Sequence, residues 1–95
     1  MDTSKFELVE KEMVAVMHFP SEEILSDENA RAARNESLTR ANSLGNLEHY
    51  KVKIYFADDA GDKLVHTTIW GVTDQAILLK QNVTLPIHRI IKLEI

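Results

Sequence analysis

The sequence predicts an α+β protein, with an N-terminal strand and one helix packed on a strongly curved antiparallel sheet. Three observations carry this. Between Glu28 and Leu44 the apolar residues recur three to five positions apart, from Tyr50 onward they recur every second position, and clusters of turn residues punctuate the second half at short intervals. With 95 residues, the chain is expected to be a single domain with one modest core. Residues 1–26 should form the strand and a turn, 27–45 the helix, and 50–95 an antiparallel β module of four or five strands.

The first strand is expected from about Glu12 to Phe19, where the β-prone run Met13-Val14-Ala15-Val16-Met17-His18-Phe19 is stopped by Pro20. Ser21 then caps a helical turn whose glutamates, Glu22 and Glu23, face the positive end of its dipole. The helix should begin at Ser26 or Asp27, either of which can accept hydrogen bonds from unpaired first-turn amides. Ala30, Ala33, Leu38, Ala41 and Leu44 form its narrow apolar stripe, and Arg31, Arg34 and Arg40 make a solvated basic face. Gly45 should end the helix as a left-handed cap, with Leu47 folding back on the last turn.

In the β module, Val52, Ile54 and Phe56 point one way while Lys51, Lys53 and Tyr55 point the other. Residues 57–62 supply a hairpin loop, a long strand covers 63–73, a third covers 76–80, and a fourth starts at Val83. With Asp74-Gln75 and Gln81-Asn82 as two-residue turns, pairing places Ile69, Ala76, Leu78, Leu85 and Ile87 on one face and Trp70, Val72, Ile77 and Leu79 on the other. Both faces would be apolar, so both need cover. The alternation breaks near His88-Arg89-Ile90, which predicts a single 3₁₀ turn before a last short strand.

Composition excludes several classes. The apolar share is 44% and the charged share 27%, which is ordinary for a globular chain, and no cysteine is present to build a disulfide or a thiolate zinc site. Residues 1–49 carry ten acidic and five basic side chains, and residues 50–95 five and six, for a net charge of −4. A dedicated duplex-binding protein would concentrate basic charge more strongly. No apolar run has the length of a leader or a membrane span, so a cytoplasmic protein without membrane contact is expected.

The helix, the meandering strands with Gly71 inside the long second one, the stretch Asp74-Gln75-Ala76-Ile77-Leu78-Leu79 and the ending Ile87-His88-Arg89-Ile90 together resemble SH3-like small barrels, the Sm-like branch in particular. That resemblance implies a barrel whose last strand returns to the first, and an RNA-contacting motif near His88 and Arg89. The third-strand asparagine of Sm-like proteins is replaced by Leu78 and Leu79. Neither an Arg-Gly nor a Lys-His pair stands at the second motif. The segments Asn46 to Ile54, Thr67-Thr68-Ile69-Trp70 and Leu85 to Ile90 also look like parts of short uncharacterised bacterial proteins of the Bacteroidetes group.

Candidate sites are few. His18, His49, His66 and His88 lack the spacing that places two imidazoles on one metal, so no metal and no cofactor are expected. Thr67, Thr68 and Ser43 have no activating base at a recognisable spacing, and Glu22-Glu23 and Asp58-Asp59 read as a helix start and a turn. An enzyme is therefore not expected. His88 is assigned a backbone hydrogen bond and Arg89 a solvated position, with joint presentation to an anion as the alternative. Trp70 is assigned a place beneath the helix, with base stacking or partner anchoring as the alternative.

The function expected from these readings is a non-enzymatic interaction module, taking a protein partner or a second copy of itself. Its partner surface would draw on Trp70, Leu79, His88 and Arg89. The alternative is an Sm-like RNA-binding barrel, contacting RNA through Lys51, Lys53, Arg34 and Arg40.

Overall fold

A computed structural model describes residues 5–95. Met1 to Ser4, on which part of the leader reading falls, lie outside the described residues. The elements in order are β1 (Glu7–Leu8), α1 (Lys11–Val14), α2 (Glu28–Glu48), β2 (Lys51–Ala57), β3 (Asp62–Val72), β4 (Ala76–Leu79), β5 (Thr84–Pro86) and β6 (Ile90–Glu94), with 3₁₀ turns at Lys80–Asn82 and Ile87–Arg89.

The period-two half of the chain forms the sheet it predicts. The strands pair antiparallel in the order β5-β4-β3-β2-β6, and β1 adds a short parallel pairing to β3. The two ends of this open path, β5 and β6, are joined by the second 3₁₀ turn, at the place where the alternation of the sequence breaks. Asp58 explains the β2–β3 hairpin: its carboxylate accepts hydrogen bonds from the amides of Ala60 and Gly61, each at 3.0 Å. Val52, Ile54 and Phe56 face the core together with Val65, Ile69, Ile77, Leu79, Leu85 and Ile90. Tyr55 lies on the opposite face and is nevertheless buried, because Phe6 packs edge-on against it at 5.0 Å and the Lys92 ammonium lies 4.9 Å from its ring centre.

The middle strands bury one face, not two, and the residues on each face differ from those expected. Val72 pairs with Ile77 and Gly71 with Leu78, as a two-residue Asp74-Gln75 turn requires, but a bulge at Trp70 then shifts the register so that Ile69 opposes Leu79. At the other end of β4 the connection is the three-residue 3₁₀ turn, in which Gln81 and Asn82 take positive φ. Ile77 consequently opposes Leu85. Two one-residue slips thus collect Ile69, Ile77, Leu79 and Leu85 inside, and leave Trp70 and Leu78 outside.

The expected strand over 12–19 is absent. The N-terminal strand is Glu7–Leu8, which occupies the outer edge of β3, and the following residues turn through α1 so that Val14, Met17 and Phe19 pack on the core. With that edge taken, the β-prone run has no ladder to join, and burial of Val14, Met17 and Phe19, three and two positions apart, outweighs its propensity. Residues 21–25 form a strap rather than a helical turn, because their polar groups face distant partners. The Asp59 amide donates to the carbonyl of His18, the Ile24 amide donates to that of His88, and Arg89 donates to that of Glu22.

Helix α2 starts as expected, with the Asp27 carboxylate accepting from the Asn29 amide. It runs one turn beyond Gly45. The buried face is Arg34, Leu38, Ala41 and Gly45, spaced four, three and four apart. Gly45 is therefore an interior contact residue and not a cap: a methyl group there would collide with the carbonyl oxygen of Ile69 in β3. The left-handed cap is His49, at φ 54°, and Leu47 is exposed on the last turn.

Candidate functional site

Two clusters contain the polar side chains that the sequence singles out, and they differ in whether their charges are already satisfied. The first lies where α2, the strap and β6 meet. The Arg34 guanidinium holds both oxygens of Glu23, at 2.7 and 2.8 Å, and donates a third bond to the carbonyl of Ile90 at 3.0 Å. Arg34 is only 5% exposed, so it leaves the solvated basic face and the set of RNA contacts. A fork that matches a carboxylate bidentately is the geometry in which arginine is worth burying.

Arg89 is equally buried, at 5% exposure. Its Nε donates to the carbonyl of Ala57 and a terminal nitrogen donates to that of Glu22. The expectation of a solvated Arg89 is corrected accordingly: the 3₁₀ turn directs it into the junction between β2 and the strap, where those carbonyls need donors. His88 does make the expected backbone bond. Its Nε2 stands 2.9 Å from the carbonyl of Pro20, and because a carbonyl only accepts, that nitrogen carries the proton. His88 and Arg89 are thus internal ties.

Arg34 beside Glu23 holds that carboxyl down at about 2. A group so acidic is fully ionised near neutrality and is unsuited to general acid or base work. It does make stability depend on pH. The folded value lies below the ordinary 4.5, so the contribution is complete above about pH 5 and is lost as the pH falls toward 2. The Glu23 side chain is about one-third exposed, which limits this to about 1–2 kcal/mol. Urea midpoints measured from pH 6 down to pH 2.5 should fall more steeply for the natural chain than for Glu23→Gln, and parallel curves would contradict the assignment.

The second cluster is on the outer face of β2 and β3. Lys51 opposes Thr68 and Lys53 opposes His66, so the alternation that buries Val52 and Ile54 sets a row of polar side chains outward. Beyond them the bulge turns Trp70 out to 40% exposure, against the imidazole of His49 at 5.1 Å between ring centres. Trp70 accordingly does not lie beneath the helix. It sits beside the end of α2, which Thr68 fastens by donating from Oγ1 to the His49 carbonyl. A groove of about 510 Å³ opens between this row and the segment after β1, bordered by Val9, Lys51, His66, Trp70 and Lys80.

Of the remaining candidates, Leu79 is 1% exposed and belongs to the core. The slip at Trp70 moves it inside, and Leu78 takes its place outside. Lys53 is exposed and stands 3.6 Å from Glu94, and Arg40 is exposed on α2 away from the groove. His49, His66, Leu78 and Lys80 complete the outer face, and none of them was assigned to the partner surface from the sequence. His66 is visible in the pairing of Lys53 with the neighbouring strand, whereas Leu78 and Lys80 become visible only once the bulge is known.

Among the described residues, no group of three His, Cys, Asp or Glu side chains is placed to hold a metal ion, and no helix is long and apolar enough to cross a membrane. No protein-family model, curated protein or solved structure matches this chain.

Proposed function

We propose that the chain is a small non-enzymatic interaction module that takes a protein partner on the outer face of β3 and β4, with Trp70 at its centre. One observation carries this reading. The bulge breaks the β3–β4 ladder and turns the only tryptophan of the chain outward, beside the exposed Leu78. Bulges commonly re-aim a side chain at a working surface, and tryptophan leads the residue types that dominate interface energy.

The same reading includes an SH3-like or Sm-like small barrel. It is supported by the sharing of β3 between two partners, by the return of β6 to β2, and by the 3₁₀ turn between β5 and β6. Self-association is the simplest version of the partner. Sedimentation equilibrium over a concentration series, together with affinity capture from the native host, should show an association that Trp70→Asp and Leu78→Asp abolish. Both positions are exposed, so the variants should unfold within about 1 kcal/mol of the parent. A parent that is monomeric and captures nothing would overturn the reading, as would an association that both variants retain.

A second reading, an Sm-like RNA-binding barrel, is supported by the placing of Lys51 and Lys80 beside an exposed aromatic ring. It predicts affinity for single-stranded RNA that falls steeply with salt. Amide shifts of Lys51, Lys53 and Trp70 in a titration with a random RNA pool would test it, and an unchanged spectrum at low salt would remove it.

A further inference from the structure

Among the described residues, some lysines are paired with a carboxylate, and others, Lys92 over the Tyr55 ring and two at the groove, are not. Lys5, Lys11, Lys53 and Lys63 each stand within ion-pair distance of a carboxylate, at 2.9 to 3.6 Å. Lys51 and Lys80, which border the groove on either side of Trp70, have no such partner among the described residues. Among the described residues, Glu10 is the one carboxylate that lines the groove. Two unpaired ammonium groups, the Glu12-paired Lys11 and two imidazoles therefore border a groove whose apolar lining is Val9, Val65 and Trp70, in a chain whose net charge is −4.

From this complementarity we propose that the groove binds an acidic peptide segment of a partner protein, with an apolar side chain against Trp70 and carboxylates toward Lys51 and Lys80. The proposal rests on the reading of this face as a protein-binding surface and adds the chemical class of the ligand. A lysine ammonium serves a single carboxylate as a compact charge, whereas phosphate recognition favours the arginine fork. No arginine borders the groove, and Arg34 and Arg89 are engaged inside the protein. Glu10 at the rim and the negative net charge both work against a backbone charged at every nucleotide. A peptide with two or three spaced carboxylates meets neither obstacle in full.

The test uses the isotope-labelled full chain and three probes. The first is an eight-residue peptide of Glu and Asp around a central Leu-Phe, the second is the same peptide with Gln and Asn in place of the acids, and the third is an oligouridylate. The acidic peptide should shift the amides of Lys51, His66, Trp70 and Lys80 and the Trp70 indole. Its affinity should drop at least about fivefold in the double variant Lys51→Gln, Lys80→Gln, and should weaken with added salt. Equal affinity for the amide-substituted peptide would overturn the acidic class, and so would tighter binding of the oligouridylate at the same amides. Silence of these amides toward the acidic peptide would also overturn it. The face reading fails separately, through Trp70→Asp leaving the association untouched.

Discussion

Gly45→Ala is expected to destabilise the protein by about 2–3 kcal/mol, against the sign that helix propensity assigns to it. In an ordinary helix interior the change from glycine to alanine gains about 0.5–1 kcal/mol, because alanine has less backbone freedom to lose. Here the added methyl would meet the carbonyl oxygen of Ile69, which is backbone and fixed in the β3 ladder, and the Thr68 methyl is also close. Relief requires α2 to lift away from β3, which opens the contact of Leu38 and Ala41 with the core. Ser43→Ala, on the exposed side of the same helix, is the control and should be neutral or slightly stabilising. Urea unfolding of both variants decides the matter: a Gly45→Ala protein more stable than its parent would show that the helix is not held at that distance.

Arg34→Ala should cost about 3–5 kcal/mol, a large share of the stability of a domain this size. The substitution removes the bidentate pair with Glu23 and the bond to the Ile90 carbonyl together, and it leaves the Arg31 bond to the Leu25 carbonyl, at 2.8 Å, as a remaining side-chain tie of the helix to the strap. Loss of Arg34 leaves the buried Ile90 carbonyl without this donor and the partly exposed Glu23 carboxylate without its partner, so losing one charge is costlier than losing both. Arg34→Met combined with Glu23→Gln should therefore recover part of the loss. In Arg34→Ala, hydrogen exchange at the Ile24 amide, which donates to the His88 carbonyl at 2.8 Å, should accelerate more than at the core amides of β2. Uniform acceleration, or a stability change under about 1 kcal/mol, would contradict the clasp.

Much of the fold was legible because its signals are local. The period-two pattern of Val52, Ile54 and Phe56, the Asp58 to Gly61 loop, the Asp27 cap and the broken alternation at Ile87 to Arg89 each reflect chemistry within a few residues. What was not legible depends on contacts distant in sequence. Gly45 carries the composition of a cap, and only the approach of β3 shows that it serves as a contact. Arg34 and Arg89 look like solvated cations until carbonyls and a carboxylate 11 to 67 positions away bring them inside. The β-prone run at 13–19 lost its strand because Glu7 and Leu8 hold the available edge.

The candidate site depended on the same kind of information. Two slips of one residue, at Trp70 and in the Lys80–Asn82 turn, decide which of Trp70, Leu78 and Leu79 meets solvent. Neither has a distinctive sequence marker. Trp70 was legible as a residue of interest, and its direction was not. Lys51 and Lys53 followed from alternation alone, but the meeting of Lys51 with Trp70 and Lys80 at one groove required the register.

The face bearing Trp70 and Leu78 is proposed to meet another protein. A photo-crosslinking amino acid placed singly at positions 70, 78, 35 and 40, in the chain expressed in its native host, tests this most directly, since all four residues are exposed and the last two lie on the helix. A discrete adduct is expected from positions 70 and 78 and none from 35 and 40. Adducts from the helix positions alone, or none from 70 and 78, would contradict it.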